Sequence, residues 1–285
     1  MEISVRTQFC GVLGNPVEHS LSPAIHNAAF QKLGLNFVYL AWKVEAIGDA
    51  VKGLRALGNF RGASVTIPHK VAVLPFLDEV EATARHIGAI NTIVSQNGRL
   101  LGANTDATGA LRALKEGDAP LKTGEPVVLL GSGGAARAIA FALAAEAGVR
   151  RLHLLGIDDQ ERRGLASDLM QKTPMHVADA FLEEQTLKTA LADARVLIHC
   201  TPIGMSPKTG MSCVPAPLLH SGLTIMDIVY NPRETQLLAD AKAAGCRTIS
   251  GLEMFLYQAA AQFERWTGQS APLQVMRTIL ESRLT

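Results

Sequence analysis

Residues 127–136 read VVLLGSGGAA, four apolar residues followed directly by a glycine-rich turn. The apolar run is typical of a strand that is buried on both faces of a parallel sheet. The turn matches the pattern G-x-G-x-x-A and leads into a helical pattern over Ala135–Ala147. Glycine lets the backbone approach a pyrophosphate, whose charge then lies on the N–H groups at the start of the helix. The stretch therefore predicts a dinucleotide-binding loop, with a tight turn that binds nothing as the alternative.

Apolar runs on both sides of this loop extend the pattern to a whole α/β protein with parallel sheets. Strands are predicted at Phe9–Leu13, Phe37–Trp42, Ala63–Ile67, Asn91–Ser95, Arg99–Leu101, Val127–Leu130, Leu152–Leu155, Val196–Cys200 and Thr224–Ile228. Helical patterns lie between them, after Ser22, Glu45 and Lys70 and over Ala135–Ala147, Asp159–Gln171 and Phe181–Ala190. Two last helices, Leu252–Trp266 and Leu273–Arg283, have no strand after them and are expected to fold back onto the first domain.

Composition and charge exclude several classes of protein. With 48% apolar and 19% charged residues, the chain lies well outside the range of disordered sequences. Its 27 basic and 26 acidic side chains give a net charge of +1, which offers no field that attracts nucleic acid. The cysteines and histidines show no metal-ligand spacing, and no apolar run is long enough to span a membrane. We expect a cytoplasmic protein with reduced thiols and without a metal, nucleic-acid or membrane partner.

An acidic segment follows the second strand of the dinucleotide-binding half, where Leu155 leads into Gly156-Ile157-Asp158-Asp159. A carboxylate at this place accepts hydrogen bonds from a ribose 2′-OH and repels the 2′-phosphate of NADP, so Asp158 favours NAD. The alternative is that the aspartate only caps the next helix. Arg162 and Arg163, one turn further on, leave a contact with a phosphate open.

Four short polar clusters in the first half of the chain lie where predicted strands end or helices begin. They read HSLSP (19–23), VTIPHK (65–70), GAINT (88–92) and GANTD (102–106). This rim is where open α/β sheets bind ligands. The alternatives are structural, with Ser22, Asn104 or Asp106 as a helix cap and Lys70 as a solvated surface charge.

Together with GSGGAARA (131–138), DIVYNP (227–232) and GLEMFLYQAAAQF (251–263), these clusters resemble the shikimate/quinate dehydrogenase family over essentially the whole chain. The resemblance implies two α/β domains with the active site in the groove between them. One is a discontinuous substrate domain formed by residues 1–106 and 252–285. The other, residues 107–251, is a Rossmann-like, doubly wound cofactor domain.

The resemblance also implies roles for individual residues. Lys70 and Asp106 match the catalytic pair of the family. Substrate-binding positions are matched by Ser20, Ser22, Thr66, Asn91, Tyr230 and Gln258. Cofactor-binding positions are matched by Gly131, Gly133, Gly134, Ala135, Thr201, Ile228, Gly251 and Met254, and the loop residue Ser132 and the acidic Asp158 complete the predicted set.

The activity implied is reversible hydride transfer between NAD(P) and the ring alcohol of shikimate or quinate, with 3-dehydroshikimate or 3-dehydroquinate as the ketone. Lys70 would take the hydroxyl proton, and Asp106 would orient the lysine. Such an enzyme serves aromatic amino acid biosynthesis or quinate catabolism, and we expect a monomer or a homodimer.

Some residues depart from the common pattern of the family. Ser64 stands where many members have Asn, which shortens a polar arm near the substrate. Residues 156–158 (GID) stand where NADP-dependent members have Asn-Arg-Thr, and residues 201–207 (TPIGMSP) resemble the NAD-using branch. These departures favour NAD. Because Ser20 and Ser22 resemble shikimate-preferring members instead, the choice between shikimate and quinate stays open.

Two other functions are considered. A non-catalytic sensor could keep the fold to bind NAD and shikimate, but the presence of both Lys70 and Asp106 argues against it. A folate-type dehydrogenase shares the two-domain layout, yet the polar set Asn91, Asp106 and Gln258 fits a small polyhydroxylated acid better than a pteridine.

Overall fold

The computed structural model describes residues 2–122 and 124–284 and divides them into two compact units. The first unit comprises the chain up to Thr108 together with Leu256–Arg283, and the second comprises Gly109–Phe255 and, at the chain end, Leu284. Each unit contains one six-stranded sheet. The fold is α/β, as predicted.

The strands number twelve among the described residues. In chain order they are β1 (Gln8–Gly14), β2 (Phe37–Lys43), β3 (Phe60–Val65), β4 (Glu79–Val80), β5 (Thr92–Gln96), β6 (Arg99–Ala103), β7 (Val127–Leu130), β8 (Arg151–Gly156), β9 (His176–Phe181), β10 (Val196–His199), β11 (Thr224–Asp227) and β12 (Arg247–Ser250).

The α-helices of the described part of the chain alternate with these strands. They are α1 (Ser22–Lys32), α2 (Ile47–Arg55), α3 (His69–Ala72), α4 (Ala82–Ile87), α5 (Thr105–Glu116), α6 (Gly134–Ala145), α7 (Asp159–Lys172), α8 (Glu184–Leu191), α9 (Gln236–Ala243), α10 (Gly251–Thr267) and α11 (Leu273–Arg283). Within the described residues, none of them combines the length and hydropathy that a membrane-spanning helix needs.

The sheet of the first unit has the order β2-β1-β3-β5-β6-β4. Strand β1 runs parallel to β2 and β3, but β5 runs antiparallel to β3 and to β6. The antiparallel part follows from the predicted hairpin, whose Asn97-Gly98 turn has positive φ at both residues. This sheet is therefore mixed, and the prediction of parallel strands holds only for its first half.

The sheet of the second unit is entirely parallel, with the order β12-β11-β10-β7-β8-β9. Strand β7 is completely buried, as its four apolar residues predict. The chain proceeds from β7 to β8 on one side and later to β10 on the other side. The carboxyl ends of β7 and β10 therefore form a topological switch point, where doubly wound sheets bind their ligands.

Several elements differ from the sequence prediction. Strands β4, β9 and β12 and helices α4 and α9 were not predicted, and β9 ends at Phe181, where a helix was expected to begin. Strand β9 lies at the edge of its sheet and exposes five of its six residues fully or partly, all except Val177, so it lacks a continuous apolar run. The helix starts later, at Glu184, because Glu183 provides its capping box.

The last two helices return to the first unit, as predicted. Helix α11 packs against α1, and the indole Nε1 of Trp266 in α10 donates a hydrogen bond to the Ile93 carbonyl at 2.9 Å. Gly62 lies beneath this contact with φ of +155°. A Cβ added there would lie 2.2 Å from the Ile93 carbonyl oxygen and 2.3 Å from the indole nitrogen, so only glycine fits.

Gly62→Ala is expected to lower the free energy of unfolding by about 2–4 kcal/mol, because the methyl group would separate α10 from the sheet and the backbone angle would be strained. Urea unfolding followed by circular dichroism measures the change. Gly58→Ala is the matched control, since no atom lies within 4 Å of its added Cβ and its φ is not positive. Equal unfolding midpoints for the two variants would contradict the prediction.

Candidate active site

An ion pair in the first unit joins two of the predicted site residues. Lys70 lies in α3, and its carbonyl accepts a hydrogen bond from Ile90 N at 2.7 Å, which ties this short helix to the segment before β5. Asp106 lies in the first turn of α5. The distance from Lys70 Nζ to Asp106 Oδ2 is 2.6 Å, and the two side chains are 27% and 14% exposed. Lys70 is therefore held in place rather than left as a freely solvated charge.

Asn91 connects this pair to the sheet. Its Nδ2 donates to Asp106 Oδ1 at 2.8 Å and to Thr105 Oγ1 at 3.0 Å. Its Oδ1 accepts from Thr105 N and from the Thr92 hydroxyl, both at 2.7 Å. The side chain is buried and both of its amide hydrogens are used within the protein. In this arrangement Asn91 positions Asp106.

The helix cap next to this pair is Asn104, one of the alternatives considered from the sequence. Asn104 Oδ1 accepts from Ala107 N at 3.3 Å, and Asn104 Nδ2 donates to the Ala89 carbonyl at 2.9 Å. The carboxylate of Asp106 is therefore not needed as a cap and is directed toward Lys70 and Asn91.

Gln262 was missed by the sequence analysis. Its Oε1 accepts from the Ser64 hydroxyl at 2.9 Å, and its Nε2 donates to Thr92 Oγ1 at 3.0 Å and to the Asn91 carbonyl at 3.2 Å. An amide group from α10 thus lies next to Ser64, the position where the sequence departs from the family that it resembles by lacking an amide side chain. The one available signal is its position one helical turn after Gln258, on the same face of α10.

The two serines Ser20 and Ser22 lie at the beginning of α1. The amide of Ser22 donates to Ser20 Oγ at 3.3 Å. The sequence alternative that Ser22 caps the helix is wrong, because α1 already begins at Ser22 and its N-cap position is Leu21, which makes no side-chain cap. The N–H of Ser22 is taken by Ser20 Oγ and Pro23 has no N–H, so the two serine hydroxyls are the groups that the beginning of α1 offers to an anion.

The remaining predicted substrate residues lie in different places. Thr66 is half-buried on the loop between β3 and α3, and its amide donates to the Leu13 carbonyl at 2.9 Å. Gln258 is buried on α10 in the first unit. Tyr230 belongs to the second unit, where its ring stacks on Phe255 with centroids 4.8 Å apart and burial raises the pKa of its hydroxyl.

The glycine loop of the second unit has the geometry that a pyrophosphate requires. Gly131 has φ of +100°, and a Cβ there would lie 3.0 Å from the Cys200 carbonyl oxygen. Helix α6 begins at Gly134 with Gly133 as N-cap, and it has neither a side-chain cap nor an acidic residue in its first turn. No atom lies within 4 Å of a Cβ added at Gly133 or Gly134. The uncapped N–H groups and the open space fit a dinucleotide phosphate.

The acidic segment after β8 is exposed, and Asp158 caps α7 by accepting from Glu161 N at 2.8 Å. This bond occupies one carboxylate oxygen, so the cap and a ribose contact are compatible. The buried guanidinium of Arg162 is engaged by Asp179 at 3.0 Å, by Asp159 at 2.5 Å and by the Gly156 carbonyl at 3.2 Å. Arg162 is therefore not available to a 2′-phosphate.

The other predicted cofactor residues lie at or near the carboxyl ends of β7, β10, β11 and β12. Gly251 packs so closely on Ile228 that an added Cβ would lie 2.3 Å from its carbonyl oxygen. Thr201 lies beside Gly131, where an added Cβ would come within 3.3 Å of the Thr201 methyl group. Met254 is buried on the first turn of α10, and Ser132 and Ala135 belong to the glycine loop and the start of α6.

Comparisons with known proteins agree with this geometry. Residues 12–93 match the family model described as Shikimate dehydrogenase substrate binding domain, and residues 251–281 match the Shikimate 5'-dehydrogenase C-terminal domain. The chain is 41% identical over 285 residues to the shikimate dehydrogenase (NADP(+)) of Desulforamulus reducens, covering 99% of this chain and 97% of that protein.

Two solved structures are similar over nearly the full length. Shikimate 5-dehydrogenase from Listeria monocytogenes, in complex with shikimate and NAD, has a TM-score of 0.93 and 36% identity, and the match covers 98% of both chains. Quinate dehydrogenase from Corynebacterium glutamicum, in complex with NAD, has a TM-score of 0.89 and 31% identity, covering 97% of this chain and 99% of that chain.

Proposed function

This chain belongs to the shikimate dehydrogenase family, and we propose that it catalyses reversible hydride transfer between NAD(P) and the ring alcohol of shikimate, quinate or both. The observation that carries the proposal is the Lys70–Asp106 pair, 2.6 Å apart and oriented by Asn91. A sensor without catalysis would not need this pair, so the alternative has no support. We assign the substrate to residues 1–106 with 252–285 and the cofactor to residues 107–251.

Lys70 moves the proton in this reaction. A bound nicotinamide supplies or accepts the hydride at the ring carbon. In the direction of ketone reduction, the Lys70 ammonium donates a proton from Nζ to the carbonyl oxygen as the alcohol forms. In the direction of oxidation, the uncharged Lys70 amine takes the hydroxyl proton. Both directions require Nζ to stay at a fixed place, which its bond to Asp106 ensures.

The substrate carboxylate is assigned to the hydroxyls of Ser20 and Ser22 at the beginning of α1. Thr66 and Gln258 are assigned to ring hydroxyls, since a buried hydroxyl needs a partner, and Tyr230 is assigned to the carboxylate side. Asn91 contributes by holding Asp106. The preference between shikimate and quinate stays open. The cytoplasmic location and the monomeric or homodimeric state stay predictions.

NAD is preferred over NADP in this proposal. Among the relatives, the Desulforamulus protein is named for NADP(+) whereas the Listeria structure contains NAD, so the preference rests on this chain's own residues. Asp158, Asp159 and Glu161 place negative charge after β8, and Arg162 is occupied by Asp159 and Asp179. Arg163 is exposed but is paired with Asp159 at 3.0 Å, so a 2′-phosphate would meet carboxylates together with one guanidinium that already has an acidic partner.

The test is the formation of reduced nicotinamide, followed by absorbance, with shikimate and with quinate, each combined with NAD and with NADP. Turnover with NAD on either acid supports the proposal, and the ratio of the two acids identifies the preferred substrate. Turnover with NADP alone would overturn the preference for NAD but would still support the proposed dehydrogenase activity. A protein that binds nucleotide but turns over none of the four combinations would overturn the proposed activity.

Asp158→Asn should lower the ratio of kcat/KM with NAD to kcat/KM with NADP by about tenfold, because the charge that repels a 2′-phosphate is lost. Asparagine is as good an N-cap as aspartate, so the stability should not change. Steady-state kinetics with both cofactors measures the ratio.

Asp158→Ala serves as the control for this prediction, since it loses the charge and also the cap on Glu161 N. It should show the same ratio as the asparagine variant and a stability lower by about 0.5–2 kcal/mol. If neither variant changes the ratio, Asp158 is only a cap.

A further inference from the structure

A buried histidine–aspartate pair lies at the carboxyl ends of β10 and β11 and takes no part in the mechanism above. His199 and Asp227 are the last residues of these strands, face each other in register, and are 1% and 0% exposed. The distance from His199 Nδ1 to Asp227 Oδ1 is 2.8 Å. A pair this deeply buried needs further partners to offset the loss of hydration.

The hydrogen bonds around Asp227 fix the direction of this contact. Asp227 Oδ1 also accepts from Val229 N at 3.0 Å, and Oδ2 accepts from the Thr235 hydroxyl at 2.6 Å. Thr235 Oγ1 in turn accepts from Leu238 N, because Thr235 caps α9. Asp227 is thus an acceptor toward every partner, so the hydrogen between it and His199 belongs to Nδ1.

The second nitrogen of the imidazole contacts the loop that follows β10. His199 Nε2 lies 2.5 Å from Thr201 Oγ1, which also accepts from Ile203 N at 3.2 Å. Burial lowers the pKa of His199, but the hydrogen bond and charge of Asp227, with a contribution from the Cys213 thiol, outweigh it and raise the pKa to about 9. A pKa in this range favours the imidazolium form at neutral pH, in which both ring nitrogens donate.

A charged His199 determines the hydrogen-bonding role of the Thr201 hydroxyl. A hydroxyl has one hydrogen and two acceptor positions, and both acceptor positions of Thr201 are taken by His199 Nε2 and Ile203 N. Its hydrogen is then left for a third partner. Thr201 lies beside Gly131, the first glycine of the phosphate loop, where its methyl group would be 3.3 Å from an added Cβ.

We propose that His199 is a positioning residue that holds the Thr201 hydroxyl as a donor toward an acceptor oxygen of the bound dinucleotide. The proposal rests on the proposed function, in which the glycine loop binds NAD(P). When His199 loses its Nε2 proton, this nitrogen becomes an acceptor and takes the Thr201 hydrogen for itself. The dinucleotide then loses its hydrogen bond, although the loop keeps its position.

The expected consequence is a weaker affinity for NADH as the pH passes through about 9. The loss of one hydrogen bond should raise the Kd by roughly threefold to tenfold. The titratable groups that face the ring are Asp227 from β11 and Cys213 from the segment between β10 and β11. Cys213→Ser distinguishes the contributions of Asp227 and Cys213. Because Asp227 remains, the change of the Kd with pH should persist, but its midpoint should move to lower pH.

Two measurements on the full-length protein test the proposal. In the first, the fluorescence of NADH gives its Kd between pH 7 and 10 for the wild type, Thr201→Val and Thr201→Ser. Thr201→Val should bind NADH at pH 7 as weakly as the wild type does at pH 10, and its Kd should not change with pH. Thr201→Ser keeps the hydroxyl, so it should show the wild-type affinity and the wild-type pH dependence. In the second, nitrogen NMR of the ligand-free protein reports the His199 ring, which should carry both protons at pH 7.

Either measurement can overturn the proposal. A His199 ring with one proton at pH 7, or a wild-type Kd that does not change up to pH 10, contradicts it even when shikimate is turned over. Thr201→Val with wild-type affinity at pH 7 also contradicts it. If the proposed function fails, the wild type shows no turnover with either acid, which is a different result. If NADH does not bind at any pH, both the proposed function and the role of His199 are contradicted.

Discussion

Lys70→Ala is expected to lower kcat for the oxidation of shikimate by about 10²–10⁴-fold, the range that a lost general acid–base group costs. The reason is the geometry of Nζ, which Asp106 Oδ2 holds at 2.6 Å while 27% of the side-chain surface stays exposed. Alanine cannot transfer the proton and leaves the Asp106 carboxylate without its counterion. The KM for shikimate should change less than kcat, because the carboxylate of the substrate is assigned to Ser20 and Ser22.

Initial rates of NADH formation over a range of shikimate concentrations separate the two constants. Lys52→Ala in α2 is the matched control, since this lysine is exposed and its removal should leave both constants unchanged. Lys70→Arg keeps the positive charge but loses a group that readily exchanges a proton, so it should remain impaired. If Lys70→Ala turns over within a few-fold of the wild type, Lys70 does not carry the proton.

The sequence predicted a strand most accurately where a single physical requirement, burial on both faces, determines all of its residues. Strand β7 is buried on both faces, so its four residues must all be apolar and its bounds were predicted correctly. Strand β9 lies at a sheet edge and needs only a few apolar residues, so its pattern HVADAF gave no clear signal. Strand β12 was missed for the same reason, since its sequence RTIS has one fully buried residue.

The site could be predicted only in part, because its hydrogen bonds join residues that are far apart in sequence. Lys70 by itself is an ordinary surface lysine, and the resemblance to a family, rather than any local pattern, paired it with Asp106. Gln262 bonds to Ser64 across 198 residues, and His199 bonds to Asp227 across 28. No periodicity connects such positions, so these networks become visible only when the strands and helices are placed.

Asp106→Asn is expected to lower kcat by about 10²-fold, because a neutral amide cannot satisfy both partners of the carboxylate. Asp106 Oδ1 accepts from Asn91 Nδ2 at 2.8 Å, and Oδ2 accepts from Lys70 Nζ at 2.6 Å. An asparagine presents its NH₂ group to one of these two donors in either orientation. One contact becomes repulsive, so Nζ loses both its fixed place and its negative partner.

The double variant Lys70→Ala/Asp106→Asn decides whether Asp106 acts through Lys70. When two groups work as a unit, removing the second adds little to the loss caused by the first. We therefore expect the kcat of the double variant to lie within a few-fold of Lys70→Ala alone. Losses that multiply would mean that Asp106 acts on the substrate independently of Lys70. Because Asn91 and Thr105 would still hold the start of α5, urea unfolding of Asp106→Asn should reveal a fold close to that of the wild type.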